Sequence, residues 1–347
     1  MNFIILLLGL CFTATSQLNI RQTDHLETNK VPLLVKPEGA NDDDSHSSTK
    51  FDYEHVSVCL NATNPDELII FHSKTCTNGA SKVASGKYSN QENSTGWGIL
   101  EIETFANHNY DVQAYAAGAA EGELTRLQIY YHYRNTIETI CTNHTIYCRK
   151  LYKYIQQNLD WMRSQVIAQP HSDRYWRHVN LTFAQLTGIY DSYYHRTLTP
   201  EIGFDLHPIF MMQMAGDLFD LNKYLNKTPD PLEYPEAGRC SGFVKLTANN
   251  SDLLFSHVAM SSLSWMTRIV KVYKFGYDVN EIPGHTVSMS AYPGTLASSD
   301  DYSLTSAGLG TIETTISIFD VALYKKHLSP QGQLFCWVRS YISNALS

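Results

Sequence analysis

Cys240 stands in the run Gly238-Arg239-Cys240-Ser241-Gly242-Phe243-Val244-Lys245-Leu246, where a proline-rich stretch gives way to an alternating strand pattern. A cysteine attacks as the thiolate, and an ordinary thiol with a pKa near ~8.5 is mostly protonated at neutral or acidic pH. Cutting the bond between Arg239 and Cys240 creates an α-amine that titrates near ~8 and lies within reach of the same residue's sulfur. One residue then supplies nucleophile and base. The local pattern equally allows Cys240 to be half of a disulfide.

The flanks set the stage for such a cut. Leu225 to Gly238 reads LNKTPDPLEYPEAG, and its prolines at 229, 231 and 235 forbid regular structure. After Cys240 a short strand, a turn at Asn249-Asn250-Ser251-Asp252 and a second strand from Leu253 to His257 are expected. Six cysteines follow the one in the leader: Cys59, Cys76, Cys141, Cys148, Cys240 and Cys336. An even number permits complete pairing, and Cys141 and Cys148 are close enough to close a small loop.

Met1 to Ser16, with an apolar run from Phe3 to Phe12, reads as a secretory signal peptide although no Lys or Arg precedes the run. Sequons at Asn61, Asn93, Asn143, Asn180, Asn226 and Asn249 agree with a secretory route and are candidate glycosylation sites. No later stretch is apolar for long enough to span a bilayer. A net charge of −8 argues against nucleic acid as a partner, which needs a basic face. The sequence has no HExxH, no CxxC and no glycine-rich phosphate loop, so neither metal nor cofactor is expected. The 14 histidines would gain charge in an acidic compartment.

Residues 17–50 read as a flexible arm, polar and breaker-rich from Lys36 to Lys50. Strands are expected at 56–60, 68–72 and 96–104. Helical periodicity follows at 119–140, at 151–166 and at 176–193. A helix capped by Ser261 or Ser262 is expected to run to Phe275. Beyond it lie strands at 286–290 and 310–317, a type II turn at Ala291-Tyr292-Pro293-Gly294 and a last helix at 334–345. Helices first, then strands and helices intermixed, make an α+β pattern of two sheets covered by helices.

Several ordered motifs resemble the phospholipase B-like, or lamina ancestor, family. They are Cys240-Ser241-Gly242-Phe243-Val244-Lys245-Leu246, Asp252-Leu253-Leu254-Phe255-Ser256-His257, Met266-Thr267-Arg268-Ile269, Ala291-Tyr292-Pro293-Gly294-Thr295 and Glu313-Thr314-Thr315-Ile316. Gly96-Trp97-Gly98, Gln113-Ala114-Tyr115 and Gln185-Leu186 in the first half agree. The resemblance implies an N-terminal nucleophile hydrolase with an αββα sandwich, secreted or lysosomal, that cleaves itself before Cys240. It would divide the chain into residues 51–221, a cleavable linker 222–239 and a nucleophile-bearing part 240–347.

Carried over by motif, Cys240 is the nucleophile, His257 the active-site histidine, Thr315 an active-site threonine, and Arg239–Cys240 the cleaved bond. Cys141 with Cys148 falls where members carry a small disulfide. The implied reaction is release of fatty acid from glycerophospholipid or from an acyl amide, and the alternative is a silent lipid- or protein-binding glycoprotein of the same fold. Members usually continue beyond the point where this chain stops, and their Asn-Thr-Trp after the histidine is Val258-Ala259-Met260 here. Exposed apolar surface or unpaired edges are therefore expected, to be covered by a second copy or another partner.

Overall fold

The computed structural model describes residues 19–21, 31–38, 52–77, 79–169, 173–228, 240–297, 302–313, 318, 320 and 322–346. Within them the chain forms β1 (Glu54–Leu60), β2 (Leu68–Phe71), β3 (Lys82–Gln91), α1 (Glu92–Thr95) and β4 (Trp97–Thr104). Six helices follow: α2 (Tyr110–Leu124), α3 (Arg126–Thr136), α4 (Thr145–Ala168), α5 (Arg174–Tyr193), α6 (Pro208–Gln213) and α7 (Ala215–Tyr224). Then come β5 (Ser241–Leu246), β6 (Leu253–Val258), β7 (Ile269–Lys274), β8 (Thr286–Ala291), β9 (Tyr302–Thr305), β10 (Gly310–Ile312), α8 (Ala322–His327) and α9 (Cys336–Leu346). The fold is α+β.

One large sheet has the order β10-β9-β8-β7-β4-β3-β1-β2, and β5 with β6 forms a separate two-stranded sheet. The large sheet is two antiparallel halves joined at a parallel seam, where β4 meets β7 with Gly98 opposite Ile269 and Ile102 opposite Tyr273. The half before the proline-rich linker and the half after it thus share a single ladder.

Inward residues Leu100, Ile102, Ile269 and Tyr273 are almost fully buried, as the two-residue alternation of a sheet with one covered face requires. Helix α2 lies on that face, admitted by Gly86 of β3, where a Cβ would stand 2.8 Å from the tip of Leu124. Helix α5 then docks on α2 at backbone distance. A Cβ on Gly118 would lie 1.9 Å from the Gln185 carbonyl oxygen, and one on Gly188 would lie 2.0 Å from that of Tyr115. No side chain can yield at a carbonyl. Gly188→Ala is expected to destabilise the protein by at least about 1–3 kcal/mol, read as a lower denaturant midpoint.

Two expectations change against this frame, and one strand is added. The segment expected to be a helix from Ser261 to Phe275 is a 3-10 turn, Leu263–Trp265, capped by Ser262, followed by strand β7. Its spacing fits a helical stripe, but Ile269-Val270-Lys271-Val272 is β-branched and alternating, and bonding to both β4 and β8 decides for strand. The helix expected over 119–140 begins at Tyr110 and breaks at Thr125, whose hydroxyl donates to the Glu121 carbonyl at 2.8 Å. Strand β3 was hidden by its Ser, Gly and Lys content.

Parts of the 17–50 arm pack on the body. Arg21 donates to Asp191 Oδ2 at 2.7 Å, and the Tyr115 hydroxyl donates to the same oxygen at 2.7 Å. Asp191 is wholly buried in α5, so it needs this counter-charge. Leu34 is also buried, and Tyr193 donates to the Val35 carbonyl at 2.6 Å.

Disulfides join Cys59 to Cys76 and Cys141 to Cys148, which fits an oxidising compartment. Cys336 retains its thiol. Its N–H donates to Asp217 Oδ1 at 3.0 Å and its Sγ lies 3.2 Å from Oδ2, so Asp217 caps α9. Desolvation lifts the Asp217 carboxyl from 3.8 to about 6 against the pull of the Cys336 donors. A raised carboxyl favours folding fully below its unfolded value, and that contribution is lost as pH rises through about 6. The thermal midpoint of Asp217→Asn is therefore expected to gain on wild type between those two pH values, with no further gain above them.

Candidate active site

Cys240 immediately precedes β5, is half-buried and lies outside both disulfides. Strand β5 pairs antiparallel with β6, setting Ser241 opposite Val258 and Gly242 opposite His257. Cys240 stands just before the first paired residue of that ladder, two residues ahead of Gly242. Gly242 leaves the space beside the imidazole open to another element: a Cβ there would be 2.7 Å from Ile312 Cδ1 of β10.

The hairpin's turn uses Asn249 and Asn250 at φ of 59° and 53°, the left-handed region asparagine tolerates. Its root rests on the large sheet, with the Phe255 and Tyr302 ring centroids 6.4 Å apart and nearly perpendicular. Most of the hairpin is uncovered. Phe243, Val244, Leu246, Leu253, Leu254 and Val258 are all more than half exposed, and Leu263 in the following loop is 80% exposed. Thr315 and Arg239, and so the expected cleavage point on its N-terminal side, lie outside the described residues.

A second cluster surrounds the turn after β8. Gly294 at φ 69° and the Thr295 N–H donating to the Tyr292 carbonyl at 3.2 Å make it a type II turn. Arg268 donates to the Tyr292 hydroxyl at 3.1 Å, with its guanidinium 4.5 Å from the Tyr292 ring centre and 5.2 Å from that of Trp97. His132 stacks on the Tyr292 ring with centroids 5.1 Å apart, and Trp265 meets the imidazole edge-on. Burial, with Lys271 and Arg268 nearby, pushes His132 down to about 3. Arg268, expected on a helix, instead leads into β7 and is held by aromatic rings.

Beneath this turn Lys271 Nζ donates to Glu121 Oε1 and to the Thr295 carbonyl, each at 2.6 Å. The Tyr273 hydroxyl donates to the other Glu121 oxygen, and the Gly294 N–H to Oε1 at 3.2 Å. Gln213 bonds the turn from the far side, accepting from Leu296 and donating to the Gly294 carbonyl. Gly294 and Thr295 belong to a motif legible in the sequence, but the buried pairing of Lys271 with Glu121 is not. The available signal was a charge at an inward strand position, Lys271, and an acid in the alanine- and glycine-rich stretch of a helix, Glu121.

Among the sequons, Asn180 does not suit a glycan. It is buried in α5 with its amide nitrogen donating to Asp111 at 3.0 Å, and that nitrogen is where a sugar would attach. Asn93, Asn143, Asn226 and Asn249 are exposed, and Asn61 is half-buried. Among the described residues no group of three or more His, Cys, Asp or Glu could hold a metal, and no helix is long and apolar enough to cross a membrane.

The phospholipase B family model matches residues 84–347. This chain belongs to the phospholipase B family. It is 64% identical, over all of its length and 58% of the relative's, to a Caenorhabditis elegans protein named phospholipase B-like 3. Identity to the human phospholipase B-like 2 is 36%, over 76% of this chain and 46% of the human one. A Dictyostelium discoideum phospholipase B-like protein A is 29% identical over 84% of this chain and 55% of its own length. These names assign likeness rather than a measured activity, and the chain spans about half the length of the curated relatives it matches.

Proposed function

We propose that this protein is, or forms part of, an acyl hydrolase that uses Cys240 as an N-terminal nucleophile after cleavage of the Arg239–Cys240 bond. The observation that supports the reading is that Cys240 lies outside both disulfides and directly precedes β5, after a proline-rich linker, with His257 in the paired strand β6. In the reaction the α-amine takes the thiol proton and the sulfur attacks the acyl carbonyl carbon. The carbon–oxygen or carbon–nitrogen bond breaks, the leaving group takes the proton from the ammonium, and a thioester forms. Water then attacks the thioester, releases the acid and restores the thiol. Thr315 and His257 would orient these groups. Phospholipid or acyl amide is the substrate class, with no cofactor, and a secreted or lysosomal setting is supported by the leader, the sequons and the disulfides.

The uncovered hairpin favours a second reading. A hairpin whose outer edges are unpaired among the described residues and whose apolar side chains are half-exposed needs a covering polypeptide, and the chain spans only 58% of one relative's length. By itself this chain would then be a catalytically silent binding protein that associates with a second copy or another partner.

Mass analysis of the protein purified from a secretory host separates the two. A terminus at Cys240 together with release of fatty acid from phospholipid vesicles at acidic pH is expected for the hydrolase. An uncut chain would refute it, and cleavage without release from vesicles would direct attention to small acyl amides.

A further inference from the structure

Three histidines are buried among the described residues, and two of them are served by hydrogen bonds. His207 Nδ1 accepts from the Phe210 N–H at 3.1 Å, and His178 Nδ1 lies 2.9 Å from the Arg174 carbonyl. His132 of α3 is different. It is 0% exposed, and neither of its ring nitrogens has a hydrogen-bond partner among the described residues. Rings close it in instead: it stacks on Tyr292 and meets Trp265, whose ring centroid is also 5.1 Å from that of Tyr292. A neutral imidazole leaves one donor and one acceptor unsatisfied there, and an imidazolium would leave two donors.

Trp265 comes from the link between β6 and β7, most of which faces solvent. Met260, Leu263 and Met266 are each 60% exposed or more. The 3-10 turn that presents Trp265 is closed by bonds within the link, from the Trp265 N–H to the Ser262 carbonyl at 3.0 Å and from the Met266 N–H to the Leu263 carbonyl at 3.2 Å. One turn of helix has little stability of its own, so the seat of Trp265 among the rings is what holds it.

We propose that this link is an acid-opened cover: when His132 takes a proton, Trp265 leaves the stack and residues 259–266 lift away from α3, where the hairpin joins the large sheet. The charges around the imidazole favour opening. Lys271 of β7 and Arg268 at its start are cations, and Glu121 of α2 has its oxygens committed to Lys271, Tyr273 and the Gly294 N–H. From the turn after β8 the Tyr292 hydroxyl accepts from Arg268, and on α3 itself Arg134 is engaged by Glu138 and Tyr130. Neither α6 nor the link from Ala259 to Thr267 contains a titratable side chain. Burial and the two cations hold the closed imidazole at about 3, whereas in water it titrates near 6.5. The open form therefore binds a proton that the closed form refuses, and the ratio of open to closed rises as pH falls through that interval. From about pH 7.5 to about pH 4.5 the rise is on the order of 100-fold at most. An acidic compartment would thus bare the Tyr292 and Arg268 surface.

Amide hydrogen exchange of the whole chain, corrected for its intrinsic pH dependence, tests this at about pH 7.5 and about pH 4.5. Protection of the Trp265 and Met266 amides is expected to fall at least about tenfold at the lower pH, while the β3–β4 ladder keeps its protection. His132→Phe, which keeps a ring on Tyr292 but cannot take a proton, should abolish the fall. Unchanged protection at these amides, an equal loss across the ladder, or a fall that survives in His132→Phe would overturn the inference. Should His132→Phe not fold, Trp265→Ala decides: with no ring to expel, its link should exchange alike at both pH values, and a fall of the wild-type size there would overturn the proposal. None of these outcomes depends on cleavage at Cys240, so the hydrolase reading stands or falls separately.

Discussion

Lys271→Met is expected to destabilise the fold by about 3–5 kcal/mol, the cost of leaving a buried carboxylate without its counter-charge. Both partners are completely shielded from solvent, and the ammonium stands 2.6 Å from Glu121 Oε1. Burial pulls the Lys271 pKa down, and Glu121 works against that pull. The pair also fixes the turn: the Thr295 carbonyl accepts from Lys271, while the Gly294 N–H donates to Glu121. Losing the lysine therefore loosens the join between β8 and the core as well as stranding a charge.

The double replacement Glu121→Gln with Lys271→Met should cost much less than Lys271→Met alone, because no net charge stays buried. Denaturant unfolding of the wild type, both single variants and the double variant closes the cycle. Equal losses in single and double variants would show that the ion pair is not what the core depends on.

Cys240→Ala is expected to lower fatty-acid release by a factor on the order of 10⁴ or more, the scale seen when a covalent nucleophile is removed. It should also leave the chain uncut between Arg239 and Cys240, since the same sulfur would start both reactions. Cys240→Ser keeps a nucleophilic atom, so partial cleavage with weak turnover is expected from it. His257→Ala should still fold, since the imidazole belongs to a half-exposed hairpin, and its release rate should fall by about 10²–10⁴ if the ring moves protons. Activity surviving in Cys240→Ala would end the nucleophile reading. The mature terminus, determined for each variant, tells a cleavage defect from a turnover defect.

The hairpin around Cys240 was legible because its determinants are local. Prolines end one conformation, an alternating run begins the next, and paired asparagines make the turn between strands. Helices α4 and α5 were legible for the same reason, each carrying a long apolar stripe at helical period. The type II turn was written in Pro293-Gly294. In contrast, β7 carries residues that satisfy two periods at once, and the choice belongs to β4, about 170 residues earlier in the chain.

Buried polar chemistry escaped the same reading. Asn180 satisfies a surface motif letter by letter, yet α2 covers it and Asp111 takes its amide. Cys59 and Cys76 were two of several unpaired candidates until the β1 ladder brought their Cα atoms to 6.1 Å. Lys271, Glu121 and His178 look like ordinary charged or polar residues in a string of letters. Their character comes from the absence of water around them, which only packing creates.

The amino-acid order by itself determined the strand-and-turn unit that bears Cys240, the main helical stripes and membership of the family, all of which rest on contacts a few residues apart or on matched motifs. Tertiary structure alone decided the parallel seam between the two halves, the disulfide of Cys59 and Cys76, the buried Glu121–Lys271 pair and the burial of His178. Those depend on which distant segments exclude solvent together, and solvent exclusion is a property of the assembled chain rather than of any segment within it.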